Sequence, residues 1–425
     1  MNITMFTNTY FPLVGGIEKS VQTFCEDFAQ LGHFNRIITP EARDENGKPV
    51  RTSRGVLRVP AITGITEKNF SIQFPTPSLI DHWMEAIQPD IVHAHQPFLL
   101  GDTALRMARK WRAPLIFTHH TLYERYAHYF MVDNENTRRF AATLSVQYGN
   151  LCDLVIAPTE SIKKLLEERG ISKPVRVVPT GIQVSDFSNG DREGFRQRYN
   201  IPTDARVVGQ VGRLNREKNL DYVADAVQQA MAQDPKLYFL LVGEGELVEP
   251  IQESLREAGM GERFVHTGVL KGQDVVDAYA GMDLFVFASK TDTQGIVLAE
   301  SFAGGTPVLA IDAPGARDCI KDGYSGRVLP ETTSEEQFAA TILEMMTDDK
   351  TRRAYSRQAR EAAQQFDRKV CAERMLEVYA ETIEVYQSTH PDEKPKDAWS
   401  EIMARLESEW SLLSEKYEAA KSLLA

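Results

Sequence analysis

No stretch of the chain approaches the roughly 18 uncharged apolar residues that a membrane span requires, so a transmembrane helix is excluded. Cysteine is scarce. Cys25, Cys152, Cys319 and Cys371 lie far apart, with no pair at metal-ligand spacing, and are expected to be buried thiols. A basic excess is also missing. With a net charge of −12 the chain lacks the dominant cationic surface that bulk nucleic-acid binding needs, so any anionic ligand must be met by a local site. The opening MNITMFTNTYFP has neither the basic nor the apolar region of a secretory signal and reads directly as a strand; the expected location is the cytoplasm. What remains, 42% hydrophobic and 25% charged residues over 425 positions, is ordinary for a globular protein of two or three domains.

Short apolar runs alternate with amphipathic segments through the first 190 residues: NITMFTN, GGIEKSVQTFCEDFAQLG, FNRIITP, PDIVHAH, ALRMARKWRA, PLIFTHH, LVIAPT and VRVVPT. Strands of continuous apolar character separated by helices imply a parallel sheet covered on both faces. A polar segment, GIQVSDFSNGDREGFRQRYNIPTDA, interrupts the alternation. It then resumes with RVVGQVG, LYFLLVG, FVHTG, LFVFAS and PVLAI. The expectation is an α/β protein of two doubly wound parallel-sheet domains, over 1–190 and 200–365, facing a cleft. A helix over 366–388 crosses back to the first domain, and an amphipathic helix occupies 396–425. In that last helix Trp399, Ile402, Leu406, Trp410, Leu413, Tyr417, Ala420 and Leu424 recur every three or four residues. Such a stripe either packs on its own protein or meets a partner, including self-association through 396–425. Lys396 to Ala425 carries four basic and six acidic residues, which disfavours an anionic membrane surface.

Ligands of α/β proteins bind at strand C-terminal ends and helix N-termini. GQVGRLNREKN follows a strand and precedes a helix, placing Arg213 and Lys218 at such an edge. Two cations suit a diphosphate: Arg213 makes a forked contact and Lys218 acts as a mobile point charge. A solvated loop is the competing reading. In SKTDTQGIVLAESFAGG a polar loop opens a helix near Gly295, so the amides of Gln294, Gly295 and Ile296 point at phosphate. Glu300 suits the vicinal hydroxyls of a ribose and Asp292 the hydroxyls of a sugar; a helix cap and a surface charge are the alternatives for Asp292 and Glu300. Gly15 and Gly16 follow the first strand, where glycine lets backbone approach a ligand or makes a tight turn. FTHHTLYERYAHYF sets His119, His120, Tyr123, Tyr126, His128 and Tyr129 just after a strand. Without a nearby Cys or an HExxH pattern no metal site is completed. His120 is read as facing a donor sugar, with Tyr123, Tyr126 and His128 shaping an acceptor pocket; aromatic packing is the alternative for the tyrosines.

Taken in order, GGIE, VGRLNREKN, VGEGE and the Asp292-x7-Glu300 segment resemble the retaining enzymes of glycosyltransferase family 4, over roughly residues 1 to 385. The resemblance implies the GT-B fold, a nucleotide-sugar co-substrate bound mainly by the second domain, an acceptor on the first, and transfer without a metal or other cofactor. By position, Arg213 and Lys218 look like the diphosphate clamp, Glu300 like the ribose carboxylate, Gly16 like the first-domain residue near phosphate and His120 like the histidine near the donor sugar. Asp292 departs from the family's usual glutamate by one methylene. THHTLYERYAHYF and SKTDTQGIVLAES look most like bacterial enzymes that glucosylate diacylglycerol at the inner face of the cell membrane. Arg106, Arg109, Lys110, Trp111 and Arg112 would then offer a basic membrane-facing patch, or a solvated helix end. The expected activity is hexosyl transfer from UDP-glucose to a membrane lipid. The alternatives are a soluble acceptor (a thiol precursor, a sugar phosphate or a polysaccharide) and a non-catalytic nucleotide-sugar-binding scaffold.

Overall fold

The computed structural model describes the chain apart from residues 14, 45, 51–54, 63–71, 74–76, 126–133, 348, 392–397 and 425. The chain divides into two compact units: Met1–Gly181 with Arg368–Ala425, and Ile182–Asp367.

The first unit contains β1 (Asn2–Phe6), β2 (Phe34–Pro40), β3 (Val56–Val59), a small antiparallel pair β4 (Ala61–Ile62) and β5 (Ile72–Gln73), then β6 (Ile91–Ala94), β7 (Leu115–Thr118), β8 (Leu154–Ala157) and β9 (Val175–Val177). Seven of these form a parallel sheet in the order β3-β2-β1-β6-β7-β8-β9. Side chains alternate across it. Ile3, Met5, Ile91, Ile116 and Ile156 enter one core; Phe6, Val92, Leu115, Phe117 and Val155 enter the other. Because both faces are covered, each strand reads as an unbroken apolar run rather than an alternating one. The first core is closed by Val21, Phe24 and Phe28 of helix Gly16–Gln30 and by Cys371, Met375 and Tyr379 of helix Arg368–Thr389. The chain thus returns, after building the second unit, to finish the first. Gly181 makes the return feasible: a Cβ there would lie 2.4 Å from the Arg368 Cα. The Arg368 guanidinium then donates to Asp27 at 2.6 Å and Glu26 at 2.9 Å.

The second unit holds β10 (Arg206–Val211), β11 (Leu237–Val242), β12 (Phe264–His266), β13 (Leu284–Phe287), β14 (Val308–Ile311) and β15 (Gly326–Leu329), parallel, in the order β12-β11-β10-β13-β14-β15. All four cysteines are buried, as their composition suggested. In each sheet the first strand has its successors on opposite sides: β2 and β6 flank β1, and β11 and β13 flank β10. Such a reversal opens a crevice beyond the strand C-termini, and it selects which loops are neighbours.

The last helix, Ala398–Leu424, packs on helices Leu100–Trp111 and Glu135–Leu151 of the first unit. It does so through Ser408, Leu412, Glu415 and Ala419, all buried. The apolar stripe is therefore not the packing face: Leu406, Trp410, Leu413 and Tyr417 are exposed. Ion pairs at the edges fix the helix instead. Arg106 donates to both Glu409 oxygens at 2.6 and 3.0 Å, and Lys416 donates to Asp102. Since Lys110 also pairs with Asp81 at 2.8 Å and Trp111 packs against the core, the basic patch read from Arg106 to Arg112 is in large part internally neutralised.

Glu415 differs from these ion-paired side chains, because neither of its buried carboxylate oxygens has a hydrogen-bond partner among the described residues. Burial, reinforced by the nearby Asp102 charge and opposed by Lys416, pushes its carboxyl up to about 8. A carboxyl raised in the folded state stabilises fully below its unfolded value near 4.5, and that contribution is lost as pH rises through about 8. Glu415→Gln should therefore gain on the wild type between pH 5 and 8, by on the order of a few kcal/mol. Thermal unfolding of both across that range checks this; a pH-independent difference would mean an ordinary ionised glutamate.

Candidate active site

At the reversal in the second sheet, the loop leaving β10 and the loop leaving β13 meet. Glycine permits the tight exit from β10 and its neighbour β11: Gly212 has φ +140° and Gly243 φ +133°, and a Cβ at Gly243 would sit 1.9 Å from the Gly212 carbonyl. The first loop then forms one short 3-10 turn, Arg216–Lys218, before helix Leu220–Gln233. Two bonds tie it to the second loop: the Thr291 hydroxyl donates to the Glu217 carbonyl at 3.1 Å, and the Asn219 amide to the Ala288 carbonyl at 3.3 Å.

Lys218 and Asp292, separated by 74 residues, become an ion pair: Lys218 Nζ donates to Oδ1 at 2.8 Å and Oδ2 at 2.9 Å. Their side chains are only 14% and 22% exposed, so neither stands in a solvated loop. Burial alone would raise the Asp292 carboxyl; the Lys218 ammonium, with help from Ser289 and Arg213, outweighs it and holds the group below the usual carboxylate range. The helix Ile296–Ala303 is entered through Gly295, at φ +67°, so Asp292 is not its N-cap residue. Arg213 is half-exposed, its guanidinium 3.6 Å from Glu217.

Helix Ile296–Ala303 begins beside this pair, and the first amides of a helix have no acceptor within it. Gln294 is buried, and its carbonyl accepts from the Cys319 thiol at 3.1 Å. Glu300, a turn further on, is buried rather than a surface charge, and its Oε2 accepts from the Tyr279 hydroxyl at 2.8 Å. Burial and that carboxylate push the Tyr279 phenol well above its ordinary range, so it remains the donor. By sequence, in the run VVDAYAGM, Tyr279 reads as one more core aromatic.

In the first unit the loops after β1, β6 and β7 come together. Gln96 accepts from the Asn8 amide at 2.8 Å, and Asn8 in turn accepts from the Leu100 amide at 2.9 Å, clasping the first two loops. Gly16 opens helix Gly16–Gln30; a Cβ there would meet nothing within 4 Å among the described residues, so no contact with them demands glycine. A row of imidazoles lies alongside. His120 Nε2 is 2.9 Å from His95 Nδ1 with the two rings stacked, the His95 and His93 rings are tilted with centres 4.2 Å apart, and His93 bonds Thr118 at 2.7 Å and the Tyr379 hydroxyl at 2.6 Å. Burial, added to by the neighbouring imidazoles, lowers His93 and His120 to about 3 and His95 well below its usual value. Burial likewise takes His119 to about 4. Tyr123 packs on Phe98 and His119, and its hydroxyl has no hydrogen-bond partner among the described residues. Tyr126 and His128 lie outside the described residues.

The family model "Glycosyl transferases group 1" matches residues 191–362, and "Glycosyltransferase Family 4" matches residues 14–186. The chain belongs to glycosyltransferase family 4. This glycosyltransferase is 27% identical to the alpha-monoglucosyldiacylglycerol synthase of Streptococcus pneumoniae, over 81% of the chain and 78% of that protein. It is also 27% identical to a GDP-mannose-dependent alpha-mannosyltransferase of Mycobacterium tuberculosis, over 81% of the chain and 88% of the relative. Among solved structures it resembles sucrose-phosphate synthase from Thermosynechococcus elongatus, with a TM-score of 0.74 at 19% identity over 90% of this chain and 99% of the other. The Anabaena protein HepE, in complex with UDP, gives 0.71 at 18% identity over 90% and 100%. Each unit of the glycosyltransferase thus has the doubly wound sheet of the GT-B fold, and the reading as a non-catalytic scaffold is set aside.

Two expectations follow from the site itself. Lys218→Met and Asp292→Asn each leave one buried charge unpaired, and each should cost the second unit about 1–3 kcal/mol, with the double variant clearly less than additive. Denaturant unfolding of all four proteins measures this, and additive losses would show the two groups to be uncoupled. His120, held far below neutral pH, should stay uncharged from pH 5 to 8; an imidazole NMR titration with a midpoint above 5 would contradict that.

Proposed function

We propose that this enzyme transfers glucose from UDP-glucose to a membrane lipid hydroxyl, such as that of diacylglycerol, with retention of anomeric configuration. The observation that carries this reading is the Lys218–Asp292 pair beside the start of helix Ile296–Ala303. An ammonium has three N–H groups, so Lys218 can hold Asp292 and a diphosphate oxygen at once. In this reading Arg213 and the amides of Gln294, Gly295 and Ile296 complete the diphosphate site, and their positive ends meet the charge that grows as the nucleotide departs. Glu300, oriented by Tyr279, accepts from the ribose hydroxyls. Asp292, with its negative charge secured by Lys218, accepts from sugar hydroxyls. Gly16 lets backbone approach phosphate. His120 acts as a neutral hydrogen-bonding group at the donor sugar, since its burial disfavours the cation.

The acceptor oxygen bonds to the anomeric carbon as the bond to the diphosphate breaks on the same face, and the acceptor proton passes to the departing diphosphate. The lipid assignment draws on the relatives from Streptococcus pneumoniae and Acholeplasma laidlawii, both named alpha-monoglucosyldiacylglycerol synthase, and on the aromatic THHTLYERY segment with Tyr123. No described helix is long and apolar enough to cross a membrane, so the lipid would be met from the surface. Relatives named for GDP-mannose or for D-inositol 3-phosphate, at 27% and 28% identity, define the competing donor and acceptor.

Incubation of labelled UDP-glucose or GDP-mannose with diacylglycerol vesicles or inositol phosphate separates these readings. Label from UDP-glucose should appear in the lipid; transfer to the soluble acceptor alone would overturn the lipid assignment. Lys218→Ala should lower kcat/KM about 10²–10³-fold, and Asp292→Asn should harm turnover more than Asp292→Glu. Near-wild-type turnover in Lys218→Ala would remove the diphosphate role.

A further inference from the structure

The last helix is used on two faces. Its buried face, Ser408, Leu412, Glu415 and Ala419, is committed to the first unit. On its outer side Leu406, Trp410, Leu413 and Tyr417 are 57%, 74%, 64% and 63% exposed. They are four of the nine exposed large hydrophobic side chains among the described residues, so they form a patch rather than scattered surface residues. Their spacing of four, three and four is that of alternating d and a positions in a heptad. The sequence continues the register to Trp399 and Met403 on one side and Ala420 and Leu424 on the other, apolar at every position. A strict 3.5-residue period is what a helix keeps to follow another helix; a surface helix on a globular core shows a broader stripe of period 3.6.

We infer that this seam pairs with the same helix of a second copy, running antiparallel. In that arrangement Trp410 faces the partner's Leu413 and Leu406 faces the partner's Tyr417. Every layer sets a larger side chain against a different, complementary one. The flanking positions decide the direction. Antiparallel pairing brings Glu409 beside the partner's Lys416, and the reverse, at two symmetric places, with no like charges opposed among the described side chains. Parallel pairing instead sets Glu409 beside the partner's Ser414 and stacks Trp410 on the partner's Trp410. Glu409 and Lys416 are also held at the helix edges by Arg106 and Asp102, and both remain half-exposed. The pairing would thus link Arg106, Glu409, the partner's Lys416 and the partner's Asp102 in a row of alternating charge. At 27 residues the helix offers a seam about 40 Å long. A bilayer fits this face less well, because exposed Glu407 and Glu418 border it and anionic lipid repels them.

The inference is independent of the donor and acceptor. Sedimentation of the full chain should show a dimer at micromolar concentration. Trp410→Glu and Leu413→Glu should each weaken self-association about tenfold or more while leaving the melting profile unchanged, since both side chains are exposed. A spin label on Ala420→Cys, in a protein whose four cysteines are buried, reads the direction. Antiparallel pairing separates the two labels by about 25–30 Å and parallel pairing by about 10 Å. A wild type that stays monomeric, a dimer that survives both glutamate variants, the short label distance, or a monomer that instead floats with phosphatidylglycerol vesicles through Trp410 would each overturn it.

Discussion

A parallel sheet sends every strand-to-helix loop off the same edge, and a reversal of strand order decides which of those loops are neighbours. That constraint governs both units. Placing β13 rather than β11 beside β10 on one side brings the Lys218 loop against the Asp292 loop, although 74 residues separate the two side chains. Placing β6 and β7 beside β1 lines up the loops that carry His95, His120, Asn8 and Gln96. Remove either adjacency and the side chains keep their identities but lose their partners.

The two units use that constraint for opposite electrostatics. The second gathers formal charge at its reversal, where the Lys218–Asp292 pair sits at a helix start whose dipole is positive. The lysine there holds the carboxylate below its usual range. The first unit gathers imidazoles and keeps them neutral, because each lies against another and burial penalises the cation. One unit presents fixed charges and the other uncharged hydrogen-bonding groups.

The strand-helix alternation, and the loops that carry Arg213, Lys218, Asp292 and Gly295, were legible in the sequence because apolar runs and turn residues are local signals. The pairing of Lys218 with Asp292 was not, since it depends on strand order. Neither was the Tyr279 hydroxyl on Glu300, as a buried tyrosine and a core aromatic have the same local pattern. The last helix shows the limit of periodicity most clearly. Its regular stripe marks an apolar face, yet the face that packs is built from Ser408, Leu412, Glu415 and Ala419, a set with one large apolar residue and an acid. Apolar spacing reports that a face wants covering; the face the chain itself covers sets Leu412 into the core and is edged by ion pairs such as Arg106 with Glu409.

Helix Arg368–Thr389 closes the first core, and its Tyr379 hydroxyl ends the imidazole row at His93. During synthesis the seven-stranded sheet therefore emerges from the ribosome long before its last covering element exists. Phe24, Phe28 and Met5 wait with one side open while nearly two hundred residues of the second unit are translated. That interval is the point in the life of this protein when a chaperone has an apolar surface to hold, and a truncation before residue 368 would make it permanent.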